Sequence, residues 1–183
     1  MRQTGFASMH CSLARSLDRM GSWWAPLILR DLSYGRQRFD DLAEDLGISR
    51  NVLTIRLKEL VEAGVVTRTA YQQRPARYEY DLSPSGRDLV PVLMALTSWG
   101  DRWAATTGPQ PVLYHRTDCG HIFTPTVCCS SCGQAVRHER VEIMPGPGRL
   151  VGRGTMLVRT FLARRAKATG RDASDSPLRP PGR

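Results

Sequence analysis

Two groups of residues carry side chains whose types and spacing could do chemistry. The first is a run of thiols and imidazoles, Cys119-Gly120-His121 followed by Cys128, Cys129 and Cys132. The segment Cys129-Ser-Ser-Cys132-Gly133 is a Cys-x2-Cys followed by glycine. Such a turn sets two thiolates on one metal while backbone N–H groups support the sulfurs. Zinc takes four ligands of this kind in a tetrahedron. Cys119, Cys129 and Cys132 supply three, and His121 is the nearest fourth, with Cys128 and His138 behind it. The first half of the pattern reads Cys-x-His, not a second Cys-x2-Cys, so three readings stay open: bound Zn2+, a thiol redox switch, or unliganded structural cysteines. Four of the five cysteines fall within fourteen residues, unlike a disulfide framework spread over a secreted domain. In a reducing cytosol that clustering points to metal or redox chemistry.

The second group lies in Ser49 to Gly64. Ser49 suits an N-cap, because its hydroxyl can accept an unpaired backbone N–H of the first turn. Gly64 suits the left-handed residue that closes a helix. Between them Leu53, Leu57, Leu60 and Val61 recur at helical spacing as one apolar stripe. Asn51, Ile55, Lys58 and Glu62 fall on the opposite side, with Arg50 and Thr54 at its margin. Upstream, Phe39-Asp-Asp-Leu-Ala-Glu-Asp-Leu makes a short helix ending at Gly47, and a three-residue link leads into the second helix. That is the layout of a helix-turn-helix, whose second helix lies in the DNA major groove.

The elements that must position these groups follow from period and punctuation. Cys11 to Met20 can form a helix with Leu13, Leu17 and Met20 on one face. Trp23 to Leu32 reads as a buried helix with Pro26 in its first turn, and Trp24, Leu27, Ile28 and Leu32 are its core residues. Ser33 to Arg38 is a turn. Val65–Tyr71 and Tyr78–Leu82 are strands joined by the polar turn from Gln72 to Arg77, a hairpin that would serve as a wing. Arg74 at its tip and Arg77 beside it can reach phosphate or the minor groove. Ser83-Pro-Ser-Gly starts another helix, with Leu89, Val92, Leu93, Leu96, Trp99 and Trp103 on its apolar face. A face this apolar at the end of a small domain wants a partner, and two-fold dimers match two DNA half-sites. Gly108-Pro-Gln-Pro and Pro145-Gly-Pro-Gly mark boundaries. The expected division is a DNA-binding and dimerisation domain over 1–107, a Cys/His-rich ribbon-like extension over 108–144, and a basic tail over 145–183.

The net charge of +9 belongs mostly to that tail. Beyond Pro145 nine Arg/Lys stand against two Asp, leaving seventeen against fifteen acidic residues in 1–144. The total charge therefore says little about the folded part, and the tail suits a solvated segment or non-specific phosphate attraction. Thr155 to Ala168 can form a basic amphipathic helix, and 169–183 is expected to lack order. No apolar run approaches the roughly 20 residues a spanning helix needs, and the start lacks the apolar core of a secretory signal. A cytosolic location and no membrane partner are the expectation.

The sequence resembles the HxlR family of bacterial winged-helix transcriptional regulators, relatives of the MarR family. The residues that carry the resemblance are Cys11, Gly21-Ser-Trp-Trp with Leu27-Ile-Leu-Arg-Asp-Leu, and Arg38-Phe-Asp-Asp-Leu. They continue through Gly47-Ile-Ser-Arg-Asn-Val-Leu-Thr-Ile-Arg-Leu-Lys-Glu-Leu, Gly64-Val-Val, Tyr78-Glu-Tyr-Asp-Leu-Ser-Pro-Ser-Gly and Trp99-Gly. The ordered set covers about residues 10–105. It implies an α+β, mainly α fold: a winged helix-turn-helix with terminal dimerisation helices. It also implies a homodimer on double-stranded DNA and control of nearby genes. Cys11 matches an N-terminal cysteine that some members use to sense oxidants or electrophiles. Trp23 departs from the family, which usually has Lys there.

The expected DNA-contacting set is Ser49, Arg50, Asn51, Thr54, Ile55 and Lys58 on the helix, with Arg74 and Arg77 on the wing. No Walker-type loop, Gly-x-Ser-x-Gly or Gly-x-Gly-x-x-Gly motif is present. An enzyme would have to rest on the thiols, with Glu139 or Glu142 as base, and no substrate-binding body surrounds them. The alternative function is a zinc-ribbon adaptor for protein or RNA, with the helix-turn-helix as scaffold.

Overall fold

The computed structural model of the chain describes residues 5, 6, 8–104, 108, 110–143, 152–157 and 160. The chain forms two compact units, Arg19–Val136, and Met1–Asp18 with Arg137–Arg183. The boundary falls within α1 (Ser12–Met20). In the larger unit the order is α2 (Ala25–Ser33), β1 (Gln37–Arg38), α3 (Phe39–Leu46), α4 (Arg50–Glu62), β2 (Val66–Gln73), β3 (Ala76–Leu82), α5 (Pro84–Trp103), β4 (Tyr114–Arg116) and β5 (His121–Phe123). One three-stranded antiparallel sheet runs β1-β3-β2, and β4 with β5 forms a second, two-stranded sheet. Most of the helix expected over Thr155–Ala168, and the tail after it, lies outside the described residues.

The core is a cluster of mostly branched aliphatic side chains from three helices, α2, α3 and α4, and from the wing strands β2 and β3. Ile28, Leu29 and Leu32 of α2 meet Leu42 of α3 and Leu53, Leu57 and Leu60 of α4. Val65, Val66, Tyr80 and Leu82 close it from the sheet side. Each fully buried leucine or isoleucine stabilises the fold by about 1.5–3 kcal/mol, so this cluster sets the mutual orientation of the helices.

Several expectations are corrected in detail. Leu29, not Leu27, joins Ile28 and Leu32 in the core of α2; Leu27 lies at the surface and Trp24 is only partly buried at the N-cap. Trp23 is 91% exposed. The face of α1 that carries Leu13 and Leu17 is exposed, and Ala14 is its buried residue. The stretch read as a turn before α3 contains β1, whose Gln37 and Arg38 pair with Tyr80 and Glu79. A two-residue strand has no period to detect; only its pairing defines it. The wing strands reach further than their apolar pattern, to Gln73 and Ala76, so the turn shrinks to Arg74-Pro75 and Arg77 sits within β3 opposite Gln72. A register shift between Ala70 and Gln72 accommodates Tyr71.

The junction between α4, the wing and α5 is tied by one serine. Ser83 Oγ accepts from the Gly86 N–H at 3.1 Å, capping α5, and donates to the Gly64 carbonyl at 2.7 Å. The Ser83 N–H donates to the Val65 carbonyl at 3.0 Å, and Ser85 Oγ donates to the Gly64 carbonyl as well. Gly64 has φ +71°, a conformation that glycine adopts without strain. Gly86 lies so close to this junction that an added Cβ would overlap the Val65 carbonyl oxygen. Gly86→Ala should therefore destabilise the fold by about 1–3 kcal/mol, read as a lower urea midpoint, whereas Gly100→Ala, whose Cβ would meet nothing within 4 Å, should not lower it.

Candidate nucleic-acid interface

The interface is built on α3 and α4. Arg38 ends β1 in extended conformation and starts α3, and Gly47 closes α3 at φ 58° with its N–H on the Glu44 carbonyl. Three residues, Gly47, Ile48 and Ser49, turn the chain, and Ile48 is buried under the turn. Ser49 then caps α4, its side chain accepting from the Val52 N–H. The exit is a glycine cap: the Gly64 N–H bonds the Val61 carbonyl and the Val65 N–H bonds the Leu60 carbonyl, each at 3.0 Å.

Burial divides α4 into two faces. Leu53, Leu57 and Leu60 are 0%, 1% and 1% exposed. Arg50, Asn51, Thr54, Ile55 and Lys58 are all exposed, and Ile55 is an apolar side chain standing 51% in solvent. The structure thus brings every expected residue of this helix to one outward face, with Ser49 at its N-terminal end. Val61, read as part of the apolar stripe, is half-buried at its edge.

Local charges hold this face in shape. Arg50 pairs with Asp40 of α3 at 2.6 Å and stacks over the Phe39 ring at 5.1 Å. Its guanidinium is positioned ahead of any ligand, at the entrance of the helix. Thr54 Oγ1 donates to the Arg50 carbonyl at 2.7 Å. Lys58 stands 3.7 Å from Glu62, an exposed pair one turn apart whose attraction is worth about 0.3–0.5 kcal/mol and yields readily to phosphate. Arg56 is engaged differently, with both oxygens of Glu59 at 2.7 and 3.0 Å.

On the wing, Arg74 and Arg77 are exposed, and among the described residues neither makes an ion pair. Two further cations here escaped sequence reasoning. Arg38 lies over Tyr71 at 4.7 Å and 3.5 Å from Glu79, while Arg68 lies over Tyr78 at 4.3 Å. Alternation of Arg with Tyr on neighbouring strands was the available signal, but only the register shows which ring each guanidinium meets.

Behind the interface, Arg30 of α2 bridges to α3. Its Nη2 lies 2.6 Å from Asp31 Oδ1 and 3.0 Å from Asp45 Oδ2. Asp31 is buried, and its second oxygen has no hydrogen-bond partner. Burial pushes its carboxyl above the usual range even against the neighbouring Arg30.

The cysteine-rich segment consists of two turns of one form. In the first, the Gly120 N–H donates to the Arg116 carbonyl at 2.8 Å and Gly120 has φ 72°. In the second, the Gly133 N–H donates to the Cys129 carbonyl at 2.8 Å and Gly133 has φ 70°. Cys119 and Cys132 therefore occupy equivalent positions, and Arg116 stands where the second turn has Cys129. The backbone N–H groups of Cys132 and Ser131 and the Cys132 thiol hold the Cys129 thiol below its ordinary range. Cys128 forms an isolated bridge with Ala135, and His121 opens β5 opposite Arg116. Cys119, Cys128, Cys129 and Cys132 are exposed and free. Cys129 and Cys132 are brought together; among the described residues no group of three or more His, Cys, Asp or Glu stands close enough to hold a metal ion. His138 starts a short 3-10 turn in the other unit. There Cys11 is half-buried, and a Cβ on Gly154 would lie 3.1 Å from its own Cβ.

A helix-turn-helix whose second helix buries one face and presents the other, followed by a three-stranded wing sheet, defines a winged helix-turn-helix DNA-binding protein. Residues 19–108 match the model of the HxlR-like helix-turn-helix family. An uncharacterised HTH-type transcriptional regulator of Mycobacterium tuberculosis strain H37Rv is 38% identical over 137 residues, which are 75% of this chain and 87% of that protein. The HTH-type regulator YdeP of Bacillus subtilis is 34% identical over 94 residues, 51% of this chain and 73% of its own. Among solved structures, that of PA1607, a "Putative Transcription Factor", superposes with a TM-score of 0.67 at 30% identity, over 78% of this chain and 100% of that one. The "Putative transcription factor" PA1374 from Pseudomonas aeruginosa superposes with a TM-score of 0.54 at 39% identity, over 81% of this chain and 99% of its own. The chain belongs to the HxlR-like helix-turn-helix family of transcriptional regulators.

Proposed function

We propose that this regulator is a homodimer that lays the outward face of α4 in the DNA major groove and rests its wing on the flanking backbone. The observation that carries the reading is the division of α4: three leucines buried to within 1% and five groove-competent side chains opposite them. Asn51 can pair bidentately with adenine, and Ile55 can contact a thymine methyl. Arg50 and Lys58 exchange their present carboxylate partners for phosphate or guanine. Arg74 and Arg77 contact backbone. Asn51→Ala should cost on the order of 1–3 kcal/mol on the selected duplex and relax specificity at one position, whereas Arg74→Ala should weaken all duplexes alike. Fluorescence anisotropy on specific and random duplexes distinguishes these outcomes; unchanged affinity for both variants would contradict the groove assignment.

The dimer reading rests on α5. Leu93, expected on this stripe, packs against the core instead, whereas Val92, Leu96, Trp99 and Trp103 recur at spacings of four, three and four and are all exposed, Trp103 to 66%. Such a stripe of large apolar side chains is what a two-fold interface covers. Sedimentation of the purified protein at micromolar concentration should give twice the 20.4 kDa chain mass, and Leu96→Glu with Trp99→Glu should reduce it to the chain mass. A wild-type monomer would contradict the reading.

For the cysteine turns we propose a zinc ribbon with Cys119, Cys129 and Cys132 as ligands and His121 as the fourth. Support comes from the matched turns, from the N–H groups on the Cys129 sulfur, and from the apolar side chains of this segment. Leu113, Ile122, Val127 and Val136 are exposed, so the segment has no core of its own and needs a cross-link. Ligand closure then couples metal binding to folding of the segment. The alternative adaptor role is not favoured by the family. Elemental analysis should find close to one zinc per chain, lost in Cys129→Ser while duplex binding survives. Metal-free protein with a reversible disulfide that alters DNA affinity would instead establish a thiol switch.

A further inference from the structure

A cleft of about 620 Å³ opens within the larger unit between α2, α5 and the β4–β5 hairpin. The DNA contacts do not use it, and of the proposed dimer stripe it shares only Leu96. Its volume lies in the range of sites that take small organic molecules, roughly 300–1,000 Å³. Pro26 and Leu27 form one wall, Val90, Leu93 and Met94 a second, and Leu113, Tyr114 and Phe123 the third. The Tyr114 and Phe123 rings stand 6.1 Å apart with their planes tilted by 41°, which gives the hairpin wall an aromatic surface.

The charged groups of the lining are of one sign. Arg30 and Arg116 line it, beside His115 and the neutral Ser33, Tyr34, Thr97 and Thr117, and among the described residues no carboxylate does. Arg116 is held by Asp118 at 2.7 and 2.8 Å, outside the lining. Arg30 uses Nε and Nη2 to hold Asp31 and Asp45, none of these bonds involving Nη1. The Arg30–Asp45 contact lies at the solvent edge, with the two side chains 42% and 63% exposed. Exposed pairs of this kind are weak because water competes for both partners. A carboxylate delivered by an apolar body seated in the cleft meets Arg30 with less water around it, and the attraction rises as the dielectric falls.

We propose that this cleft is an effector site for a small apolar anion, an aromatic or branched carboxylic acid whose body fills the apolar walls and whose carboxylate binds Arg30 and Arg116. The same geometry supplies a route to the DNA-reading helices. Asp45 belongs to α3 and Arg30 to α2, so a ligand carboxylate on Arg30 competes with Asp45 for its guanidinium and loosens a tie between the cleft and the first helix of the helix-turn-helix. Occupancy should then change duplex affinity, and by linkage duplex should change ligand affinity by the same factor. The binding half of the proposal stands independently of DNA; the coupling half rests on the DNA-binding reading.

The test uses the full chain and two fluorescent probes with one ring system, anionic 1-anilinonaphthalene-8-sulfonate and neutral N-phenyl-1-naphthylamine. Saturable binding of the anion, at least tenfold tighter than the neutral probe, is expected. Arg116→Gln should weaken the anion fivefold or more and leave the neutral probe unchanged. Val112→Trp, at the mouth of the cleft, should weaken both, and circular dichroism shows that each variant remains folded. Equal affinity for the two probes, or binding indifferent to both substitutions, would overturn the site. Probe binding that appears only on dilution to monomer would also overturn it, because a second copy then covers the cleft. With binding established, saturating anion should shift affinity for a duplex selected from a random library by at least threefold. No shift in a protein that binds both probe and duplex would overturn the coupling alone.

Discussion

Burial of Leu53, Leu57 and Leu60 against Ile28, Leu29 and Leu32 is the constraint on which the rest of this structure depends. Side chains three and four apart share a helix face, so once these leucines are fixed in the core the opposite face of α4 has no freedom in where it points. The core is therefore also the device that aims Asn51, Thr54, Ile55 and Lys58. A shift of one residue in the leucine spacing would turn the polar face by about 100° and bury it, at the cost of unpaired polar groups. Folding and the placement of this outward face are specified by the same three side chains.

Two smaller ties carry that constraint outward. Ser83 joins the exit of α4 to the start of α5 through the Gly64 carbonyl and the Gly86 N–H. The wing emerges from the same junction, so α4, the wing and α5 share one anchor. Arg30 joins α2 to α3 through Asp45, at the edge of the cleft. The first tie is largely withdrawn from solvent, and its one hydroxyl donates one hydrogen bond and accepts another. The second is exposed and electrostatic, hence weaker. The two ties therefore differ in how readily they can be changed.

The helix-turn-helix was legible in sequence because a helix with a buried stripe repeats at a period that local residues display. Ser49, Gly47 and Gly64 punctuate it with caps whose hydrogen bonds are local, and all three take the expected roles. What was not legible depends on pairing across the chain. Gln37 and Arg38 become a strand only because Tyr80 and Glu79 are there to pair with them. Leu27 and Leu29 are equally apolar in sequence, and only the direction from which α3 and α4 pack decides which one is buried. In the cysteine segment the turn geometry was local and readable. The equivalence of Arg116 with Cys129 emerged only when both turns were seen to make the same bond from glycine to a carbonyl four residues back.

The most direct measurement of the central claim is methylation interference on a bound duplex. Dimethyl sulfate marks guanine N7 in the major groove and adenine N3 in the minor groove. With α4 in the major groove of each half-site, N7 methylation in two patches about 10 base pairs, or a multiple of that, apart should block binding. Adenine N3 methylation should interfere only at flanking positions under the wing. Binding that tolerates N7 methylation throughout the site, and is lost only through minor-groove marks, would contradict the assignment of α4 as the reading helix.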